Sequence, residues 1–411
     1  MRWCRRMVAL LGAAALLGAV AAAAQDLREP RVHLSGSDVR SVAQDPEGTI
    51  WMGTARGAFV LASEGTRPEA VAVDAPARAV VNDIVAHQSG TIWFCTDRGV
   101  VGRAGEDVTA INAMEIPVQE ARKGETLHEL GRVLCGTAVG ESVFFGMPRA
   151  IVQHFPPGRT WLARTEYLAW GAISRNIAMG RAPINGCREI VRDAEGMLWA
   201  LTDDGLLSAN RRWRQGPFGR GWCWMTGHES FGDGDDRVVI HFWQLMAGGP
   251  RLGGREVPAY GAPAAIALDA LGSIRILTVE GHILSLPDIP DVTAGRVWKT
   301  WTVLPVAAIA NVPESRPWKA CALAYAGDRV AVAGTGADEK PIVLLRTAPG
   351  RDFVVEWMGQ RATEIRDLLM TEEGHVFIAT SSGLVELAPR LPVSGRGASW
   401  RGVGMFASLR K

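Results

Sequence analysis

The chain has 411 residues, with 44 basic and 43 acidic side chains, and its formal net charge is +1. This balance excludes wholesale binding to nucleic acid or to an anionic membrane surface. The only long apolar stretch lies at the N-terminus, so we expect a soluble mature protein with no transmembrane segment.

The first predicted element is a leader. A basic start is followed by an apolar run over 8–21 and then by Ala22-Ala23-Ala24, a pattern typical of a cleavage site. This order predicts a signal peptide over 1–24, cleaved after Ala24, and a periplasmic or secreted mature domain over 25–411. An uncleaved anchor is the alternative, but the run is rich in alanine and short for a bilayer span of about 20 residues.

After the leader, one pattern recurs along the chain: acidic-x-x-Gly-x-apolar-Trp-x-small-Thr-x-x-Gly. Clear copies cover 45–57, 89–99 and 193–205, weaker copies cover 272–281 and 374–383, and degenerate copies cover 140–146, 235–243 and 327–335. Glycine and aspartate favour turns, whereas the β-branched and aromatic residues between them favour strands. The spacing of roughly 40 to 50 residues matches the blades of a β-propeller.

The sequence therefore predicts an all-β fold, a single β-propeller of four-stranded antiparallel sheets. The count of repeats favours eight blades, and seven is the alternative because two of the counted units lack most of the motif. Residues 26–34 and 399–408 are expected to share a blade and close the ring. The motif tryptophans, Trp51, Trp93 and Trp199, are expected to pack between blades.

These repeats resemble the two-component regulator propeller family. Ile50-Trp51-Met52-Gly53-Thr54 with Gly57 carries the resemblance most clearly, and Leu198-Trp199 with Thr202 and Gly205-Leu206 matches well. The resemblance implies an extracytoplasmic sensor propeller that recognises carbohydrate fragments. No kinase or DNA-binding segment follows the repeats in this sequence, so we expect a sensor-like protein without the kinase part.

A polar position recurs eight residues before the motif glycine. It is occupied by Arg40, Asn82, Arg132, Arg188 and Arg366, and acids follow at Asp83, Glu189 and Asp367. In a propeller this position lies at the mouth of the central channel, on the same face as the turns that carry Arg56 and Arg98. One interpretation is a site for a carboxylated or polyhydroxylated ligand. The other is a set of ion pairs between neighbouring blades, which the adjacency of arginine and acid favours.

A second cluster combines aromatic rings with guanidinium groups. Trp213, Trp222 and Trp224 lie among arginines within 211–224. This composition suits a sugar face or an envelope protein partner. The structural alternative is a long outer hairpin whose tryptophans cover the blade.

Five cysteines follow the leader: Cys95, Cys135, Cys187, Cys223 and Cys321. An odd number cannot all pair within one chain, and no C-x-x-C spacing indicates zinc. One disulfide is compatible with an oxidising compartment, but the sequence does not identify the pair.

Signatures of catalysis are scarce, because the chain lacks G-x-S-x-G, H-E-x-x-H and P-loop patterns. We expect no cofactor and no metal. The favoured function is non-catalytic recognition of a small polar or glycan ligand at the channel mouth. A protein-interaction scaffold in an envelope complex is the alternative, and a hydrolase or lyase acting on polysaccharide or lactone is a weaker one.

Overall fold

A computed structural model describes residues 30–61, 69–71, 79–115, 127–140, 142–148, 151–154, 186–194, 198–203, 205–210, 223–231, 238–245, 262–285, 302–305, 319–336, 339–349, 353–360 and 363–388. Every regular element in these ranges is a strand, which confirms the all-β prediction. No helix in these ranges is long and apolar enough to cross a membrane. The predicted leader, 1–24, lies outside the described residues.

The strands form antiparallel sheets that follow one another along the chain, and we number them as blades 1 to 7. Blade 1 contains β2 (Val39–Gln44), β3 (Ile50–Thr54), β4 (Gly57–Leu61) and β5 (Glu69–Val71), and blade 2 contains β6 (Val81–Ala86), β7 (Ile92–Thr96), β8 (Gly99–Ala104) and β9 (Asp107–Ile111). A separate pair, β10 (Ala113–Glu115) and β11 (Leu127–Glu129), leads to blade 3, with β12 (Cys135–Val139), β13 (Ser142–Gly146) and β14 (Ile151–His154).

Blade 4 is the largest sheet in the described part of the chain. It contains β15 (Cys187–Arg192), β16 (Leu198–Thr202), β17 (Gly205–Asn210), β18 (Cys223–Phe231) and β19 (Val238–Leu245). Blade 5 contains β20 (Pro263–Leu268), β21 (Ile274–Thr278), β22 (His282–Ser285) and β23 (Thr302–Pro305). Blade 6 contains β24 (Lys319–Ala326), β25 (Arg329–Thr335), β26 (Pro341–Arg346) and β27 (Val354–Met358). Blade 7 contains β28 (Ile365–Met370), β29 (Val376–Thr380), β30 (Gly383–Leu387) and, from the start of the chain, β1 (Arg31–His33).

The first strands of these blades surround a central channel. Each contacts the first strand of the next blade, in the order β2, β6, β12, β15, β20, β24, β28 and back to β2. Within the described residues the ring therefore contains seven sheets, and the preference for eight blades is not confirmed. The described part of the unit counted at 235–243 begins at Val238 and lies in β19, which pairs with β17 and β18 inside blade 4. Its strand pattern is real, but it extends an existing sheet edge instead of starting a new sheet.

The ring closes through the N-terminal strand. β1 pairs antiparallel with β30, with Val32 opposite Val385, and becomes the outer strand of blade 7. The buried carboxylate of Glu386 joins this strand to its blade, because it contacts His33 Nε2 and His375 Nδ1, each at 2.9 Å. The expected clasp is confirmed for its N-terminal part, whereas 399–408 lie outside the described residues.

Hydrogen bonds inside blades 1, 4 and 5 account for the acidic residue and the tryptophan of the repeat motif. The indole N–H of Trp51 donates to Asp45 Oδ2 at 2.8 Å, and Trp199 donates to Asp193 in the same way at 2.8 Å. In blade 5, Arg275 replaces the tryptophan and pairs with Asp269 instead. In these repeats the acidic residue of the turn therefore binds a side chain of the next strand and fixes that strand to the turn.

The motif tryptophans also contribute to the packing between blades. Trp51 meets Phe94 of blade 2 edge-on at 5.9 Å between ring centroids, and Trp93 meets Phe145 of blade 3 at 5.8 Å. Trp199 is 1% exposed. The prediction that these rings pack between blades is confirmed for Trp51 and Trp93, and aromatic pairs of this geometry add to the burial energy of the core.

Candidate ligand site at the channel mouth

A β-bulge recurs at the start of the inner strands. In six blades the pairing of the first and second strands shifts by one residue, which leaves one extra residue on the inner strand. These extra residues are Arg40, Asn82, Arg188, Ala264, Cys321 and Arg366. A bulge redirects a side chain away from the regular ladder. We call these residues, together with Leu134 of blade 3, the mouth ring.

Blade 3 departs from the predicted alignment. Leu134 and Cys135 both face Gly146, since the Leu134 N–H donates to the Gly146 carbonyl at 2.8 Å and Cys135 pairs with Gly146 in the ladder. Arg132 therefore lies two residues before the ring position, where it is exposed. The prediction counted eight residues back from the motif glycine. The first hairpin of blade 3 is shorter than those of the other repeats, so this count reached Arg132 instead of Leu134.

Polar contacts connect four blades along one side of the mouth ring. Arg366 pairs with Glu364 of its own blade at 2.8 Å and with Asp38 at the entry to blade 1 at 3.4 Å. Arg40 pairs with the same Asp38 at 3.1 Å and donates to Asn82 Oδ1 of blade 2 at 3.1 Å. Asn82 in turn donates to a backbone carbonyl at the entry to blade 3 at 2.8 Å. We call this series the polar arc.

The other side of the mouth ring is less charged. Arg188 pairs with Asp203 of its own blade at 3.2 Å and donates to the Thr202 carbonyl at 3.2 Å. The next two ring positions carry the small side chains of Ala264 and Cys321. Cys321 is exposed. The surrounding protein still removes much of the water around its thiol, and this desolvation raises the pKa of the thiol to about 12.

The three predicted acids point toward neighbouring blades, along the channel wall. Each accepts a backbone N–H from the inner strand of the next blade: Asp83 from Gly136 at 2.8 Å, Glu189 from Ile266 at 2.6 Å and Asp367 from Val42 at 2.9 Å. The inner strand is a sheet edge, so its outward N–H groups need partners outside the blade. The structure thus gives these acids a role in joining blades.

The same acids have altered ionisation. Burial raises the pKa of Asp83 to about 7, and the negative charge of Asp367 adds to the rise. Burial likewise raises the pKa of Glu189 to about 8, with smaller contributions from the charges of Asp367 and Asp83. Burial also raises the pKa of Asp367. In each case the backbone N–H bonds act in the opposite direction, because they favour the ionised form.

The remaining predicted arginines lie above blades 1 to 3, on the turns at the same end of the channel. Arg56, Arg98 and Arg132 are exposed, and in the described part of the chain their guanidinium groups make no ion pair. Arg132 lies beside the turn of Arg98, since the next residue, Val133, donates its N–H to the Thr96 carbonyl at 2.8 Å. We call these three residues the rim arginines.

Sequence reasoning missed Asp38 and Glu364, which hold the guanidinium groups of the polar arc. Both lie two residues before the bulge, a position that is acidic only in blades 1 and 7 among the six bulged blades, so the repeat pattern carried no signal for them. Trp213 and Trp222 lie outside the described residues, and the side chain of Trp224 is also outside them. Among the described residues, no group of three His, Cys, Asp or Glu side chains could hold a metal ion.

The family model described as "Two component regulator propeller" matches residues 33–56. This match confirms the predicted resemblance over the first repeat. A search of curated protein sequences finds no match to this chain.

Solved structures similar to this chain are β-propellers of different functions. YCF48 from Cyanidioschyzon merolae has a TM-score of 0.54 at 12% identity, covering 88% of this chain and 98% of its own. The extracellular domain of the putative hybrid two component system BT3049 from B. thetaiotaomicron has a TM-score of 0.54 at 15% identity, covering 88% and 41%. Virginiamycin B lyase from Staphylococcus aureus has a TM-score of 0.53 at 10% identity, covering 87% and 97%. At these identities the likeness shows the fold alone.

Proposed function

We propose that this protein is a non-catalytic extracytoplasmic recognition module whose mouth ring binds a small polyhydroxylated ligand, such as a carbohydrate fragment. The observation that carries this proposal is that the mouth charges are exposed and already paired. The side chains of Arg188 and Arg366 are 46% and 41% exposed, and both pair with carboxylates that are at least a quarter exposed.

Paired charges favour a neutral ligand over an anionic one. A carboxylated ligand would have to displace Asp203, Asp38 or Glu364 from their guanidinium partners. A hydroxyl group both donates and accepts, so it can bind the free N–H of a guanidinium and the free lone pair of its carboxylate at once. This choice narrows the sequence-based prediction, which left carboxylated and polyhydroxylated ligands open.

The comparisons support the extracytoplasmic part of the proposal. BT3049, one of the similar structures, is an extracellular domain of a putative hybrid two component system. The first repeat matches the propeller of such regulators. Virginiamycin B lyase shares the fold only, and no described residue cluster of this chain favours lyase chemistry over recognition.

The test is a binding screen of the mature chain by thermal shift and calorimetry, with neutral sugars, uronic acids and organic acids. A ligand at a hundredfold excess over its Kd stabilises the native state by about 2.7 kcal/mol. We expect neutral sugars to bind, and Arg188→Ala and Arg366→Ala to weaken that binding. The matched control is Arg103→Ala, at the opposite end of blade 2, which should bind as the wild type does.

Three results would count against the proposal. They are a folded protein that binds no sugar, a preference for acidic ligands, and sugar binding that survives both channel-mouth substitutions.

The rim arginines favour a second candidate function, a scaffold that binds an acidic segment of an envelope protein. Their guanidinium groups are exposed and unpaired within the described residues, so they are available to carboxylates of a partner. A similar propeller structure is that of YCF48 bound to D1 peptide. The test is crosslinking in an envelope extract with wild type, Arg98→Glu and Arg103→Glu. A partner lost only with Arg98→Glu and at high salt supports the scaffold, and equal capture by all three proteins contradicts it.

A further inference from the structure

Two cysteines meet at the junction of blades 3 and 4. Cys135 lies on β12 and Cys187 on β15, and their sulfur atoms are 3.7 Å apart. Both residues are buried, and the Cys135 thiol also contacts the Cys187 carbonyl at 3.3 Å. The cysteines come together although 52 positions separate them in the sequence. Inner strands of adjacent blades, and not local sequence, bring them into contact.

The space around the two sulfur atoms depends on one glycine. A Cβ at Gly146 would lie 2.5 Å from the Cys135 sulfur and 2.7 Å from the Cys187 sulfur. No side chain fits between β13 and this pair without displacing them. The neighbouring strand therefore leaves a compartment that the two sulfur atoms fill.

Cys135 directly follows the mouth-ring residue of its blade, and in three other blades the residue at this position joins two blades. In blades 2, 4 and 7 the residue after the mouth-ring position is Asp83, Glu189 or Asp367, which bonds to the next inner strand. In blade 3 the residue at this position is Cys135, and its nearest group on the next inner strand is Cys187. A covalent link here would replace the carboxylate link of the other three junctions.

We propose that Cys135 and Cys187 form an inter-blade disulfide when the chain folds in an oxidising compartment. The two thiols lose two protons and two electrons in total, and one S–S bond forms. The oxidant is a disulfide of a thiol–disulfide exchange partner, which takes up the electrons and protons and becomes two thiols. A sulfur displacement of roughly 2 Å brings the pair to the bond length of about 2.05 Å.

The Cys135 and Cys187 thiols are oxidised before blades 3 and 4 pack together. Burial, together with the neighbouring Cys187 thiol, raises the pKa of the Cys135 thiol well above its ordinary value. The thiolate is the attacking species, so the folded, reduced protein reacts slowly. The exchange step therefore belongs to folding, when blades 3 and 4 are still accessible.

The direct test is cysteine mapping of the full chain. The protein is refolded with oxidised glutathione, its free thiols are alkylated in denaturant, and its unreduced peptides are identified by mass spectrometry. We expect one cross-linked species that joins the peptides of Cys135 and Cys187, with Cys95 and Cys321 alkylated. Alkylation of both Cys135 and Cys187, or linkage of either to another cysteine, overturns the proposal.

A second measurement separates the bond from the packing of the thiols. Reduction of the oxidised wild type should lower Tm by roughly 5 °C, because the cross-link restricts the unfolded chain. In Cys187→Ala the reductant should have no effect on Tm, whereas the matched control Cys95→Ala should respond as the wild type does. An equal response of Cys187→Ala and wild type contradicts the proposed pair. If Cys187→Ala does not fold, the same measurement is made with Cys135→Ala. If neither variant folds, the peptide map of the wild type decides.

Discussion

The two sides of the mouth ring join their blades by different means, although they are built from the same repeat. The polar arc crosses blades 7, 1, 2 and 3 through Glu364, Arg366, Asp38, Arg40 and Asn82. Across blades 5 and 6 the ring positions are Ala264 and Cys321, and the contact between inner strands is apolar. The comparison teaches that the bulge fixes where a side chain lies, while the residue at the bulge decides how the blades are joined.

Blades 5 and 6 are joined by a closely packed apolar core. Leu344, Val330 and Val332 of blade 6 are fully buried and pack in one cluster with Ala265 and Leu277 of blade 5. Dispersion and burial act here together with one backbone bond, in which the Ala320 N–H donates to the Val279 carbonyl at 2.9 Å. Between blades 7 and 1 an equally buried apolar cluster is supplemented by the carboxylate of Asp367. Substitutions should therefore reveal cavity costs on one side and unsatisfied N–H groups on the other.

The largest effect is expected from a cavity on the apolar side. Leu344→Ala should lower the free energy of unfolding by about 2–5 kcal/mol, since the surrounding strands relax only in part. Urea denaturation measures this loss. Leu271→Ala, at a position 80% exposed, is the matched control and should change little. Similar losses in both variants would show that blades 5 and 6 are not joined by close packing.

A smaller effect is expected from the carboxylate link between blades 7 and 1. Asp367→Ala leaves the Val42 and Leu368 N–H groups without their carboxylate partner, so the unfolding free energy should fall by about 1–3 kcal/mol. The exposed Asp107→Ala is the control, and urea denaturation is again the measurement. If Asp367→Ala loses no more stability than Asp107→Ala, the carboxylate of Asp367 does not help to join blades 7 and 1.

The acids on the channel wall also predict a dependence on pH. The folded pKa of Asp83, about 7, and of Glu189, about 8, lie above their ordinary values of 3.8 and 4.5. The folded state binds more protons than the unfolded state between these values, so this contribution to stability is complete below pH 4 and is lost as pH rises through 7 and 8. Tm should therefore fall between pH 5 and pH 9, and Asp83→Asn should show a shallower fall. Parallel curves for the two proteins would contradict this assignment.

The pKa of Glu386, which joins β1 to blade 7, is shifted in the opposite direction. Hydrogen bonds from His33 and then His375 lower its pKa to about 2. Its contribution is present above its ordinary pKa of 4.5 and is lost as pH falls toward 2, so it does not affect the comparison between pH 5 and pH 9.

The smallest effect is expected from an ion pair of the mouth ring. Arg366→Ala should change the unfolding free energy by about 0–1 kcal/mol, because its side chain is 41% exposed and water screens the pair. Urea denaturation of this variant and of Arg103→Ala should give similar midpoints. A loss above about 2 kcal/mol would mean that the polar arc itself carries the stability of this side, and would weaken the assignment of Arg366 to ligand binding.

Much of the local structure follows from the sequence. Gly48 lies at φ +90, and the Thr54 hydroxyl donates to the Gly57 carbonyl at 2.8 Å, as the turn chemistry of the motif predicts. Arg40, Asn82, Arg188 and Arg366 lie at the start of the inner strands, where the motif spacing put them, and their role in ligand binding stays a prediction. Arg132 was misplaced because alignment by the motif glycine assumes hairpins of equal length.

The sequence by itself determined the all-β class, the period of the blades and the turns, because these depend on contacts between residues close along the chain. Only the tertiary structure decided that Val238–Leu245 extends blade 4, that the acids bond to the next blade and that Cys135 meets Cys187. Each of these features depends on a contact between segments that are far apart in the sequence. The repeat pattern does not specify which strand edge such a segment reaches. A strand that starts a blade and a strand that widens one bury similar side chains, so only the assembled ring distinguishes them.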